Sequence, residues 1–163
     1  MIAYRISDAR RAIYDSTGAD VYGGRWNSPG RRVIYAADSL ALAMLEVLVH
    51  TNTGRIPPRH AVVEIDIPDH LAIETVDAGA VSGWDASDEL ASRAFGDHWH
   101  ATRRTIVLSV PSVVTWKTAA SGRNLVVNQD HADAGAIKVA APKPVVWDER
   151  LFPPLARAPS SAR

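Results

Sequence analysis

Between Leu40 and Val49 the chain reads LALAMLEVLV, apolar around the whole circumference of a helix and interrupted by a single carboxylate, Glu46. A helix without a polar face calls for burial on several sides, and so for a sheet and further elements around it. Asp38 or Ser39 can cap its start, and it is expected to run to about His50. The carboxylate is the costly part. Desolvation disfavours its charged form unless it is paired or hydrogen-bonded. Glu46 is therefore either the partner of an arginine or a functional acid, with Arg5 and Arg25 as candidate partners under either reading.

Short apolar runs of strand length surround this helix in sequence, at 3–6, 33–36, 61–67 and 106–110, with 125–127, 137–140 and 145–147 as further candidates. A second helix is expected over about 89–102, opened by Ser87 or Asp88. Strands do not alternate regularly with helices, which disfavours a doubly wound parallel sheet. The pattern predicts a mixed α/β (α+β) fold, with small mixed or antiparallel sheets and helices packed on them. At 163 residues, 47% hydrophobic and 22% charged, the chain has the length and apolar content for one core. The expected organisation is one domain over 1–150, followed by a Pro/Ala/Ser-rich tail, 151–163, that frays.

Charge and cysteine content exclude several classes of function. Eighteen Lys and Arg balance eighteen Asp and Glu, which removes the electrostatic footprint of a protein built to hold a phosphate backbone. The distribution is uneven: residues 60–100 carry nine acidic side chains and one basic, Arg93. Its carboxylates are spread over loop-like sequence, so this middle reads as a solvated flank or a partner surface. There is no cysteine, hence no disulfide framework, no thiolate nucleophile and no zinc site containing Cys. Only Lys117, Lys138 and Lys143 are lysines, so cationic chemistry here is mostly the planar, bidentate kind that arginine supplies. The N-terminal MIAYRISDARR holds no apolar core of signal-peptide length, and no run reaches the ~18 apolar residues of a membrane span, which points to a soluble cytoplasmic protein.

The segment 22–30, YGGRWNSPG, combines three glycines, an arginine, two aromatics and an amide. Paired glycines let backbone approach a ligand, Arg25 can take a phosphate through two parallel hydrogen bonds, and Trp26 or Tyr22 can stack on a flat ring. The same residues also suit a tight hairpin in which Trp26 plugs the core and Arg25 caps carbonyls. Ser112 follows a strand end, where a hydroxyl reaches a cleft or bonds the next turn; Asn128 and His131 follow another strand, as ligand contacts or as an Asx-turn and a surface imidazole. His98 and His100 stand two residues apart, on different sides of a helix, so no metal site is expected. Without a GxSxG elbow, no serine triad is assigned.

Taken in order, Arg5 on the first strand, Gly23-Gly24-Arg25-Trp26-Asn27, Tyr35, Glu46 on the apolar helix and Pro111-Ser112 resemble the RES family. Members of that family are typically toxins of bacterial toxin–antitoxin pairs. The resemblance runs from about Tyr4 to Trp147 and is most specific from GGRWN to Glu46. It implies a fold related to ADP-ribosyltransferases, with NAD+ consumed as a substrate in a cleft and no metal required. Glu46, Arg25 and Tyr35 would then carry catalysis, and Arg5, Gly24, Arg25, Trp26, Asn27, Tyr35, Ser112, Asn128 and His131 would line the NAD+ site. Gln129 stands where such proteins commonly have Pro between the Asn and the His. The expected reaction is transfer of ADP-ribose to a target protein, with NAD+ hydrolysis or phosphorolysis as the alternative outcome. A cognate antitoxin with a helix-turn-helix DNA-binding part is the implied partner. A nucleic-acid-directed toxin or a non-catalytic binding module is the reading from another class, and the zero net charge counts against it.

Overall fold

The computed structural model describes residues 1–51, 59–118 and 121–152. Among these residues eight strands form one sheet: β1 Ile2–Asp8, β2 Val33–Ala37, β3 His60–Asp66, β4 Ile73–Thr75, β5 Val107–Pro111, β6 Arg123–Asn128, β7 Lys138–Val139 and β8 Lys143–Pro144. Their order across it is β4-β5-β6-β2-β1-β3-β7, with β8 also pairing β3. The helices are α1 Thr17–Tyr22, α2 Leu40–Thr51 and α3 Leu90–Thr102. Among the described residues only β4 and β5 pair in parallel, so the architecture is the mixed, mostly antiparallel one that the irregular order of strands and helices predicts. No helix of the described residues is long and apolar enough to cross a membrane.

The central strands are apolar without alternation because both of their faces are covered. On β6, Leu125 and Val127 enter a cluster with Ala3, Ile34, Val63, Ile65 and Val107, while Val126 between them enters another with Trp26, Val33, Trp84, Trp99 and Leu108. Four of the five tryptophans meet at that second cluster: Trp26, Trp84 and Trp99 are buried in it and Trp116 packs on it. Trp26 stacks on Trp84 with centroids 5.9 Å apart.

Strand pairing is uneven, and the unevenness makes the cleft. β1 pairs with β3 along its whole length, from Ile2↔Asp66 to Asp8↔His60, and β2 pairs with β6 from Val33↔Asn128 to Ala37↔Asn124. Between β1 and β2 there is one registered pair, Tyr4↔Ala37. An unpaired strand edge needs another source of hydrogen bonds, and Arg5 supplies one. From β1 its Nη1 donates to the Tyr35 carbonyl of β2 (2.8 Å), while Nε and Nη2 donate to the carbonyls of Ile13 (2.6 Å) and Asp15 (3.3 Å).

Two elements depart from the sequence reading. α2 is not buried on all sides: Leu42 and Ala43 pack with Ala37, Tyr4 and Ile6, whereas Leu40, Ala41, Leu45 and Val49 are exposed. It lies over β1 and β2 as a single layer, so its outer stripe meets no further element among the described residues. At its start Ser39 Oγ accepts from the Leu42 N–H, while Asp38 is drawn off to the Arg123 N–H. The last apolar run, 145–147, forms no strand; β8 ends at Pro144, and Trp147 is buried against His60 and Phe152 by its ring. The end of the tail, 153–163, lies outside the described residues.

Candidate active site

A cleft of about 690 Å³ opens where β1 and β2 part, walled by α2 on one side and by the turn after α1 on the other. That volume is within the ~300–1,000 Å³ of small-molecule and cofactor sites. Arg5, Gly24, Arg25, Trp26, Tyr35 and Glu46 line it, together with His50, Glu89 and Asn124, which the sequence did not single out.

Glu46 projects from α2 and is largely covered, its side chain 17% exposed. No arginine pairs with it among the described residues. Instead its Oε1 accepts two short hydrogen bonds, from Ser112 Oγ (2.7 Å) and Asn124 Nδ2 (2.7 Å), and its Oε2 stands 3.6 Å from Nε2 of His50, one turn along the helix. Burial alone would raise its pKa; the close contact with His50 and the hydrogen bonds from Asn124 and Ser112 outweigh it and hold the carboxyl below the usual glutamate value. His50 moves the other way, its pKa raised chiefly by the Glu46 carboxylate beside it. The first alternative for Glu46, an arginine ion pair, is therefore not what the fold builds. Ser112 is fully buried and does two things at once: its hydroxyl donates to Glu46 and accepts from the Val114 N–H in the turn after β5.

The turn 22–30 is the tight hairpin of the second sequence reading, and Gly24, Arg25 and Trp26 of it border the cleft. Trp26 is a plug, 2% exposed, and Gly24 and Asn27 bridge each other as a tight hairpin does. Asn27 is fully buried: its amide donates to the carbonyls of Ala19 and Ser28, and its Oδ1 accepts from the Tyr35 hydroxyl (2.7 Å). The same hydroxyl accepts from the Trp26 N–H (3.0 Å). With its oxygen committed, what Tyr35 offers the cleft is its ring, and burial pushes the phenol pKa well up. Gly24 is needed for this contact, since a Cβ there would fall 2.7 Å from the Tyr35 oxygen.

Arg25 caps carbonyls and lines the cleft as well. Its Nη1 donates to the carbonyls of Trp84 (3.1 Å) and Ala86 (3.0 Å), and its Nη2 lies 3.4 Å from Glu89. The acidic middle is therefore a solvated flank only in part: Asp66, Asp69, Asp77, Asp85 and Asp88 are exposed, while Glu89 and Asp97 are not. Residues 84–89 hold Arg25, and Asp97 on α3 accepts from the Ser28 N–H (2.9 Å) and lies 3.8 Å from Arg31. The backbones meet closely: a Cβ on Gly96 would stand 1.8 Å from the Trp26 carbonyl oxygen. Composition gave no sign of this, because the carboxylates that reach the turn are not periodic and the turn lies some sixty residues away.

Arg5 faces the cleft from below, with burial pulling its pKa down and Asp15 opposing that. Its bonds to three carbonyls make it the tie between β1 and β2. Asn128 and His131 are not brought to the cleft. Asn128 is fully buried and donates to the His100 carbonyl (3.1 Å) while accepting from the Asp130 N–H (2.9 Å), which is the Asx-turn. His131 Nδ1 accepts from the Asp133 N–H and its Nε2 lies 3.0 Å from the Arg103 carbonyl. Gln129 between them donates to the Tyr14 hydroxyl (3.0 Å). These residues tie the end of α3 to the end of β6.

Comparison with known proteins places the chain in a family. A family model described as the RES domain matches residues 2–148. The chain is 39% identical over 153 residues to the Prs ADP-ribosylating toxin of Sphingobium sp. (strain YBL2), covering 90% of this chain and 92% of that protein. It is 36% identical to a Toxin Res of Photorhabdus laumondii over 70% of this chain and 75% of that one, and 34% identical to a Toxin Res of Pseudomonas putida over 93% of this chain and 100% of that one. Among solved structures, a chain of the M. tuberculosis MbcT–MbcA toxin–antitoxin complex shares the fold, with a TM-score of 0.69 at 24% identity over 87% of this chain and 82% of that chain. By the extent of the family match and the identity to these relatives, the chain belongs to the RES domain family.

Proposed function

We propose that this protein is the toxin of a bacterial toxin–antitoxin pair that cleaves NAD+ in the β1/β2 cleft and transfers the ADP-ribose to a target protein. The observation that carries the reading is Glu46: a covered carboxylate, kept ionised by neutral donors and one histidine, at the wall of a cofactor-sized cleft. A carboxylate so held has no permanent cation opposite it, and its charge is free to act on a cation that develops nearby.

Cleavage of the bond between nicotinamide and ribose generates such a cation. The bonding pair leaves with nicotinamide, and the ribose carbon passes through an oxocarbenium-like state, as in glycoside cleavage. Glu46 stabilises that charge or holds a ribose hydroxyl against it. Arg25 opposes the pyrophosphate, and Tyr35 packs its ring on nicotinamide or ribose. The acceptor then bonds the ribose carbon and gives up its proton. In this scheme Ser112 and Asn124 act by fixing Glu46, and Arg5 by holding β1 to β2. Trp26, Asn27 and Gly24 build the turn that presents Arg25 and holds the Tyr35 hydroxyl. Asn128 and His131 brace the end of α3.

The transferase outcome is supported by the name of the relative from Sphingobium, an ADP-ribosylating toxin, at 39% identity over most of both chains. An antitoxin as partner is supported by the toxin–antitoxin complex among the fold relatives, and a helix-turn-helix part in that partner extends the same reading. The test is incubation of the purified protein with NAD+, with and without phosphate and cell lysate, following nicotinamide and ADP-ribose by chromatography and protein adducts by mass spectrometry. Protein-bound ADP-ribose supports the transferase. Free ADP-ribose or its 1″-phosphate as the only product would assign hydrolysis or phosphorolysis instead, and surviving NAD+ under every condition would overturn the reading.

A further inference from the structure

Glu89 has a conformation that the helix beside it does not explain. At φ 58° and ψ 12° it is one of three non-glycine residues with positive φ among the described residues, in the left-handed region that strains an L side chain. It occupies the N-cap of α3, yet its side chain makes no cap bond. The Leu90 N–H is taken by Asp88, one residue earlier. Ordinary capping would ask for Ser, Thr, Asp or Asn at this position.

What the conformation accomplishes is the placement of a carboxylate between two arginines. Glu89 accepts from Arg93 Nη2 (2.7 Å) and lies 3.4 Å from Arg25 Nη2. Arg93 Nε in turn donates to the Gly24 carbonyl (2.9 Å), the peptide that leads directly into Arg25. The four groups close a ring: Arg25 to Glu89, Glu89 to Arg93, Arg93 to Gly24, and Gly24 along the chain to Arg25. The two carbonyls that Arg25 Nη1 reaches, Trp84 and Ala86, come from the same stretch as Glu89. Two guanidiniums share one carboxylate here, so the ring keeps a net positive charge.

We propose that Glu89 is a positioning residue of the NAD+ site, fixing the Arg25 guanidinium at the cleft wall so that an anionic ligand meets a prearranged cation. The inference rests on the reading of Arg25 as the pyrophosphate group. A free arginine gives up side-chain freedom when it binds an anion; a clamped one has given it up on folding. Strain at Glu89 is the counterpart of that arrangement.

The variant that tests it is Glu89→Gly, because glycine takes the left-handed backbone without strain while removing the carboxylate with the rest of the side chain. The melting temperature is expected to hold or rise. KM for NAD+ is expected to rise about fivefold, the scale of one re-mobilised side chain, with kcat changed less than about twofold. In an Arg25→Ala background the same change is expected to leave KM nearly unmoved, since nothing remains to be positioned. A readout independent of turnover is the Arg25 Nε–H signal in a ¹H–¹⁵N spectrum, assigned by its loss in Arg25→Ala: sharp in the native protein, broadened in Glu89→Gly, intermediate in Glu89→Gln. An unchanged KM with a sharp Arg25 signal in Glu89→Gly would overturn the proposal, as would full additivity with Arg25→Ala. A native protein that consumes no NAD+ would count against the functional reading alone, and the spectrum would still decide whether Glu89 clamps Arg25.

Discussion

The two walls of the cleft treat their charges in opposite ways. On the α2 side, Glu46 is surrounded by a hydroxyl, an amide and an exposed histidine, with no permanent cation in contact among the described residues. On the other side, Arg25 is held by Glu89 and two carbonyls, and its neighbour Arg93 closes the ring. A charge held by neutral donors keeps most of its field for the ligand, whereas a charge held by its opposite gives up field for fixed geometry. The first suits a group that must answer a charge present only in the transition state; the second suits a group that must orient a charge present throughout.

If that division is right, loosening Glu46 should lower kcat and loosening Arg25 should raise KM. The largest effect short of replacing Glu46 itself is expected for the double change Ser112→Ala with Asn124→Ala. Each removes one hydrogen bond to a charged group, about 1.5–3 kcal/mol, so kcat should fall roughly tenfold or more per change. Steady-state kinetics with a circular-dichroism check of the fold decide it, and a normal kcat in the double variant would break the account of the Glu46 wall. Arg25→Ala should raise KM about tenfold or more with a smaller loss in kcat, by the same scale of charge-assisted bonding. An unaltered NAD+ affinity in calorimetry would remove Arg25 from the site.

A third change separates scaffold from chemistry. Gly96→Ala places a methyl against the Trp26 carbonyl. Overpacking of this kind costs about 1–3 kcal/mol, which at this chain length lowers the melting temperature by roughly 2–4 °C per kcal/mol. A thermal melt at native values would mean that α3 and the turn approach each other less closely than described.

The smallest expected effect is in pH dependence. Glu46 is depressed in the fold, so its contribution to stability is present above the ordinary glutamate value and fades as pH falls through the folded value. His50 is raised, so its contribution is present below the ordinary histidine value and fades as pH rises through its folded value. The pair is therefore fully formed in the window between the two. His50→Gln should move the Glu46 titration upward, towards the ordinary carboxylate range, which a ¹³C-detected carboxyl titration reads directly. With its side chain 80% exposed, His50 should matter little to overall stability. A Glu46 midpoint that stays put would show that Ser112 and Asn124 hold the charge without help.

Much of this site was legible from residue types, and what was not legible depended on distance along the chain. Glu46 announced itself as the one carboxylate in an apolar helix, and the GGRWN turn as a dense cluster of glycine, cation and aromatic. The strands showed as short apolar runs because both faces of the central sheet are covered. The partners of Glu46 could not be read, since Asn124 lies on β6 and Ser112 just past the end of β5, and neither residue type is unusual. Glu89 was hidden for a further reason: its value lies in a backbone conformation that no propensity favours for glutamate. α2 was overread as buried, because an apolar circumference signals the need for cover without saying how many sides receive it.

The most direct test of the central claim is nicotinamide release from NAD+ by the purified native protein beside Glu46→Gln, with thermal melts confirming that both are folded. Gln keeps the shape and one acceptor oxygen but removes the charge. The account predicts release by the native protein and a loss of about 100-fold or more in Glu46→Gln, the scale for removing one electrostatic stabiliser of a transition state. Equal release by both proteins would contradict it.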